Sequence, residues 1–292
     1  MQFSLSLSSE PQDHYVPLAQ AAEQAGFDAI TLPDSICFAK ETISKYPYNE
    51  DGSNDFLDGV PFMDPFIQIA RLSAVTDSIR FTTAVVKLAV RQPVAVAKML
   101  SSLAVVTNNR VTLGVGLSPW QEDFDAMQVP WPKRGKRMDE MLDIVRGLMT
   151  GEYFSYEGEL LSIPEVKICP VPDTAVPILL GGHSKPALKR AALKGDGWVA
   201  AGASIEELEE MIQTMHKIRA ENDLENTAFE IHSTGADAFT VDGVKRMRDV
   251  GVNLAYIGFH NIYEGKPDTR TLQQKIDAIN GYANTIIKPS KA

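Results

Sequence analysis

Two glycine-bearing turns, at residues 114–116 and 181–182, are where the backbone of this sequence could meet a ligand at close range. The first lies in NRVTLGVGLSPW, residues 109–120, and looks like half of a dinucleotide fingerprint. A full fingerprint needs a third glycine three residues on, where Pro119 stands, and an acidic residue closing the unit, which is not evident. Two readings remain: the glycines let a strand end turn tightly, or their missing Cβ atoms let a flat ligand lie against the backbone, with Leu117 and Trp120 as apolar walls. The second turn lies in PILLGGHSKPALKR, residues 177–190, where Gly181-Gly182 precedes a helix opening near Ser184 and Lys185. Bare N–H groups at a helix N-terminus, with the dipole behind them, favour an anion, and phosphate is the obvious guest. His183 adds a donor; Ser184 reads equally as a simple N-cap, and Pro186 suits the first turn. Lys185, Lys189 and Arg190 would give a positive rim, and PKRGKR at 132–137 is a second basic island that reads equally as a solvated helix start.

Other chemistries lack their signatures. The five histidines, at 14, 183, 216, 232 and 260, form no HExxH and meet no carboxylates at ligand spacing, so no metal is expected. There is no GxSxG elbow and no P-loop. An anion cradle, apolar and aromatic residues and few strong acids or bases suit a phosphate-tethered organic cofactor that carries the reaction itself. A formal charge of −10, from 28 basic and 38 acidic residues, repels polyanions, so nucleic acid is not an expected partner. Cys37 and Cys169 stand far apart, in no metal spacing and no disulfide framework. No apolar run reaches the roughly 18 residues of a membrane span. Nor does a basic stretch and apolar run open the sequence, and a cytoplasmic protein is the expectation.

The elements that must position these residues alternate from end to end. Strands are expected over 2–8, 28–33, 81–88, 110–115, 177–180, 197–201, 229–233 and 254–259. Helices are expected over 15–25, 65–76, 94–106, 134–149, 185–194, 205–222, 241–250 and 272–287. Eight βα units near the usual length of about 250 residues favour an α/β fold of the (β/α)8 TIM-barrel type over an open doubly wound sheet. The chain reads as one barrel domain over residues 1–292, with an inserted hairpin or loop at about 151–175, after the fourth helix. In such a barrel function sits at the C-terminal strand ends, which here are residues 34–38, 87–91, 116–121, 181–184, 201–202, 235 and 258–260.

With these pieces in order, the sequence resembles the bacterial luciferase-like monooxygenase superfamily. The resemblance is carried by AEQAGFDAITLPDS, DPFIQIARLSAVTDSIRFTTAV, PVAVAKMLSSLAVVTNNRVTLGVG, GEYFSYEGELL, and PILLGGHS through GDGW, and covers the chain to about Ala201. It is most similar to the branch using the deazaflavin coenzyme F420, through YPYNEDG in the second loop and the spacing from GVG to the basic helix start. The resemblance implies F420 across the barrel mouth, with its phosphate at Gly181-Gly182 and the neighbouring donors His183 and Ser184. It implies deazaflavin contacts from Asp34, Leu117 and Ser118, and a bulged third strand with a non-proline cis peptide at Thr83–Ala84. On this reading GVG is a bare strand end under a tricyclic ring, and the protein is a homodimer.

F420-dependent sugar-phosphate dehydrogenases carry a histidine and a glutamate where this chain has Ser35 and Pro119. Without that acid–base pair no catalytic residue is assigned. The expectation is hydride transfer between F420 and a small organic substrate, reducing an activated C=C or C=N bond. Cys37, Phe38, Trp120, Phe259 and His260 are the candidate substrate wall, each equally readable as packing. The rivals are an FMN-dependent monooxygenase of the same superfamily and a non-catalytic cofactor-binding barrel.

Overall fold

In the computed structural model, which describes residues 1–47, 52–260 and 268–291, the alternating pattern folds as a closed parallel barrel. Its eight staves begin with β1 (Gln2–Ser6), β2 (Ala29–Leu32) and β3 (Arg80–Thr83), the last continued by β4 (Val86–Lys87). β5 (Val111–Gly116), β8 (Ile178–Gly181), β9 (Gly197–Val199), β10 (Glu230–Ser233) and β11 (Leu254–Ile257) complete it, and β11 pairs with β1. Helices α1 (Tyr15–Ala25), α2 (Pro65–Ser73), α3 (Pro93–Val106), α5 (Arg134–Leu148), α6 (Lys185–Lys194), α7 (Ile205–Ala220), α8 (Val241–Asp249) and α9 (Leu272–Tyr282) follow the strands in turn. The short α4 (Gln121–Ala126) was not expected. Part of YPYNEDG, residues 48–51, lies outside the described residues.

Alternation within each strand decides what packs where. Phe3, Leu5, Ile30, Leu32 and Phe81 join Leu18, Ile69, Leu72 and Leu100 in the layer between barrel and helices. The opposite faces line a small, polar barrel interior, where the hydroxyls of Ser4 and Thr31 lie 2.7 Å apart and Tyr256 donates to the Ala200 carbonyl at 2.6 Å. Local signals set the helix ends: Gly26 closes α1 at φ +89°, and Asp64 caps α2 by accepting from the N–H groups of Phe66 and Ile67.

The third stave departs from regularity. Thr82 pairs with Thr112 and Val86 with Val115, so four residue steps on one side face three on the other. The expected bulge is present. Its non-proline cis peptide is Ala84–Val85, one residue later than Thr83–Ala84. Ala84 N–H donates to the Leu32 carbonyl at 2.8 Å, which keeps residue 84 in the β2 ladder and places the break after it.

Between α5 and β8 the inserted segment contains an antiparallel hairpin, β6 (Phe154–Glu157) with β7 (Ser162–Val166). It is seated on α5. Phe154 packs where a Cβ on Gly147 would stand, and the buried Glu140 carboxylate accepts the N–H groups of Glu159, Leu160 and Leu161 at 2.8–3.3 Å. Among the described residues no helix is long and apolar enough to cross a membrane. Removing the acceptor of three N–H groups, as in Glu140→Ala, is expected to lower unfolding free energy by about 2–3 kcal/mol in urea titrations, with Glu140→Gln losing less. An unchanged midpoint for Glu140→Ala would show that the hairpin is not anchored this way.

Candidate functional site

The barrel mouth is shaped by the bulge. A Cβ on Gly114 would stand 1.9 Å from the Thr83 carbonyl oxygen, and one on Gly116 would stand 2.7 Å from a Val85 methyl. The GVG glycines are therefore required by close approach of the third stave. This corrects the picture of a bare strand end: the space beside Gly116 is taken by Val85, whose other methyl lies 3.2 Å from a Cβ position on Gly181. Half-exposed Val85 bridges two strand ends. On the far side, a Cβ on Gly202 would meet nothing within 4 Å, and those on Gly235 and Gly258 only ordinary contacts. Among the described residues, none crowds these three glycines at the ends of β9, β10 and β11.

Asp34, at the end of β2, is held by protein. Its Oδ2 accepts the Lys87 N–H at 2.9 Å, and Arg91 donates to its oxygens at 2.9 and 3.0 Å. Arg91 also reaches the α2 cap residue Asp64 at 3.6 Å. Thr83 Oγ1 donates to the Gly114 carbonyl at 2.7 Å, and Ala84 precedes the cis bond.

Beyond GVG, Leu117 packs on the core and Ser118 is buried. Ser118 Oγ donates to Asp123 and accepts the Trp120 N–H at 3.0 Å. Asp123 also takes the Lys87 ammonium at 2.7 Å, a pair whose side chains are only 9% and 2% exposed, and the Cys37 thiol at 3.8 Å. Burial pushes the Cys37 thiol up, and the Asp123 carboxylate adds to the shift against the opposing Lys87 charge. The thiol stays protonated at neutral pH.

Cys37, Phe38, Asn54, Trp120, Glu122 and Asp123 surround a cavity of about 10 Å3, room for one water. Its cover is the loop after β2. Glu122 Oε1 accepts the N–H groups of Ile43 and Ser44 at 2.7 and 3.2 Å, and the Tyr46 ring stacks on Trp120 at 5.4 Å and 13°. Burial raises the Glu122 pKa, but hydrogen bonds from the backbone and from Ser44 outweigh it and the net shift is downward.

Phe259 and His260 do not line this cavity. They lie in an ionic cluster after β11. There Arg270 and Lys275 face the Phe259 ring, and His260 Nδ1 approaches Asp268 at 3.7 Å. Glu10, His260 and Asp268 place potential ligand atoms within 4.8 Å of one another, but the Lys275 ammonium bonds Glu10 at 2.5 Å and Asp268 at 3.2 Å, supplying the positive charge itself.

At the end of β8 stand the residues that the sequence suggested for an anion. Gly182 adopts φ +113°, and a Cβ there would press on Ala187. Ser184 caps α6 by accepting the Ala187 N–H at 3.4 Å. His183 Nε2 accepts the Ala201 N–H at 3.1 Å, and Trp198 donates to the Gly182 carbonyl at 3.0 Å. Burial pushes the His183 pKa down, so the ring is neutral with its proton on Nδ1. Lys185 and Lys189 are exposed, whereas Arg190 leaves the rim to pair with Asp139 at 2.6 Å. In the other basic island Arg137 donates to the carbonyls of Ala89 and Arg91, bracing the segment after β4.

The bacterial luciferase-like monooxygenase model matches residues 2–274. The chain belongs to this luciferase-like family. An uncharacterized protein of Mycobacterium tuberculosis is 47% identical over 98% of this chain and 99% of its own length. The F420-dependent hydroxymycolic acid dehydrogenase of M. tuberculosis is 30% identical over 66% of this chain and 50% of its own. Among solved structures, the monooxygenase RslO1 of Streptomyces bottropensis superposes with a TM-score of 0.80 at 16% identity, covering 100% of both chains. That last likeness is one of fold.

Lys87 and Arg91 fall in the expected strand end 87–91 without an assigned role, and Glu122 and Asp123 were not singled out. The only signals were two cations bracketing an apolar strand end, KLAVR, and the acidic pair after Trp120. Lys87→Met would strand the Asp123 carboxylate in a buried site and is expected to cost about 3–5 kcal/mol of stability in urea unfolding. The double variant Lys87→Met/Asp123→Leu should recover part of that loss. Equal stability of Lys87→Met and the wild type would show that this pair is not buried in solution.

Proposed function

We propose that this luciferase-like protein is an F420-dependent oxidoreductase that reduces an activated C=C or C=N bond of a small organic molecule. The reading is carried by the α6 N-terminus, where Gly182, neutral His183 and Ser184 meet the exposed cations Lys185 and Lys189. A relative of the same family named as F420-dependent adds to it. These residues fit a phosphate-bearing, polyanionic cofactor: helix dipole and capping turn for the phosphate, lysines for a negatively charged tail. Beyond β9, β10 and β11, Gly202 meets no described atom within 4 Å of a Cβ position and Gly235 and Gly258 meet only ordinary contacts, which leaves room for a flat ring system. When bound, the deazaflavin supplies the hydride.

The chain's own residues bind, orient and exclude water. Trp198 and Ala201 fix the Gly182–His183 turn by hydrogen bonds to it. Val85 supplies an apolar, half-exposed surface between β5 and β8. The loop after β2, fastened to Glu122 and Trp120, screens the mouth near Cys37. Orientation and solvent exclusion of this kind are worth several orders of magnitude in rate.

Titration with F420 and, separately, FMN, followed by tryptophan emission, tests the reading. F420 is expected to bind more tightly than FMN. Lys185→Glu/Lys189→Glu should weaken F420 about tenfold or more while leaving FMN nearly unchanged, since each lost exposed contact and added repulsion counts for up to about 1 kcal/mol. The reverse cofactor preference would move the assignment to a flavin-dependent monooxygenase, and binding without turnover of any enone or imine to a non-catalytic barrel.

A further inference from the structure

Two neighbouring helices carry apolar side chains on the face that the barrel does not use. α3 places Val96, Ala97, Leu100, Leu103 and Ala104 in the core, and its opposite face exposes Val94, Met99, Val105 and Val106, the last 60% exposed. α2, packed beside it, exposes Ile67 to 63%, and Ala70, Ala74 and Val75 continue that stripe. Residues 65–76 and 93–106 contain no acidic side chain. Their two cations are turned to backbone: Arg71 donates to the Gln12 carbonyl at 3.2 Å, and Lys98 donates to the Cys169 carbonyl. Other outward helix faces are charged, with Glu206, Glu209 and Glu210 exposed on α7 and Lys245, Arg246 and Arg248 on α8. A helix that is apolar all round belongs in an interior, so the outer face of α3 calls for a cover.

We propose that a second copy of this chain covers the α2–α3 face, in a two-fold dimer whose contact is a layer of four helices, two from each copy. Size supports this occupant. Both helices return from one barrel strand to the next in the same direction, so their exposed stripes lie side by side. At about 1.5 Å per residue and about 10 Å per helix diameter, the 9 residues of α2 and 14 of α3 present a face about 20 Å wide and about 13 to 21 Å long. With its side-chain relief such a face offers several hundred Å2, beyond what a monomer ordinarily leaves bare and on the scale of the roughly 800 Å2 that each partner gives to a stable dimer. Charge supports it as well. A two-fold axis sets each residue type near itself, which brings like charges together on the faces of α7 and α8 but only apolar side chains together here. An anionic membrane is the less suitable cover, because the chain carries a formal charge of −10 and both cations of this face are engaged with carbonyls. The proposal does not depend on which cofactor the barrel mouth takes.

Sedimentation velocity of the full chain at micromolar concentration should give twice the chain mass of 32.0 kDa. Met99→Glu and Ile67→Glu each set two carboxylates, one from each copy, into the apolar contact, and either is expected to weaken dimerisation by at least about a hundredfold. Both side chains are exposed in the single chain, so the variants should keep the far-UV dichroism of the wild type. Met127→Glu, at an exposed apolar position outside the two helices, should remain dimeric. As a second readout, the thermal midpoint of the wild type should rise with protein concentration, and that of Met99→Glu should not. A monomeric wild type, a dimer that persists in the double variant Met99→Glu/Ile67→Glu, or equal dissociation by Met127→Glu overturns the proposal. A monomer that co-sediments with phosphatidylcholine vesicles also overturns it, and gives the face to a lipid surface instead.

Discussion

The wedge of Val85 between the ends of β5 and β8 sets the geometry of the mouth. One extra residue in the third stave pushes the Thr83 carbonyl against Gly114 and the Val85 methyls against Gly116 and Gly181. A side chain at Gly114 would collide with backbone and one at Gly116 with a Val85 methyl, whereas one at Gly181 would press on the other Val85 methyl at 3.2 Å. The glycines are thus the complement of the bulge. Together they put a valine at the floor of the mouth on the β5 and β8 side.

The bulge also decides where the charges go. After it, Lys87 stands opposite Gly116 in the ladder, its N–H reaches Asp34, and its ammonium reaches Asp123 in α4. Arg91, four residues on, spans Asp34 and Asp64. Buried charges are tolerable when each is met by an opposite charge and its remaining polar positions are bonded. Asp34 and Asp123 meet that condition; Glu122 does not. Two loops and a helix cap are consequently held in one arrangement by carboxylates that share their partners on a single stretch of chain, residues 87–91.

The barrel was legible in the sequence because period-two and period-3.6 patterns are local and survive any tertiary detail. An insertion was legible for a related reason, since turn residues broke the alternation there, but whether it was a hairpin or a loop was left open. The bulge of the third stave was expected from the resemblance but placed one residue early, because the register on which an extra residue falls depends on the Ala84 hydrogen bond to Leu32, a contact across 52 positions. The same limit hid the Lys87–Asp123 pair, whose members are far apart in sequence and joined only by the β4–β5 register. The partners that hold Asp34, the Arg91 guanidinium and the Lys87 backbone N–H, were likewise not legible in the sequence. Cys37, Phe38 and Trp120 do share a cavity, while Phe259 and His260 stand in another cluster, a division that strand-end position alone cannot make.

The seat of the inserted hairpin lies on the same helix that braces the mouth. Glu140, which gathers the hairpin turn, is one helical turn beyond Arg137, which grips the carbonyls of Ala89 and Arg91. α5 therefore ties the hairpin turn and the charged stretch 87–91 to adjacent turns of one helix. Fluorophores, affinity tags or grafted loops placed in 158–161 would load that helix, whereas the exposed C-terminal ends of α7 and α8 have no comparable grip on the mouth. For anyone modifying this protein, the outermost ribbon is an internal part of the machine.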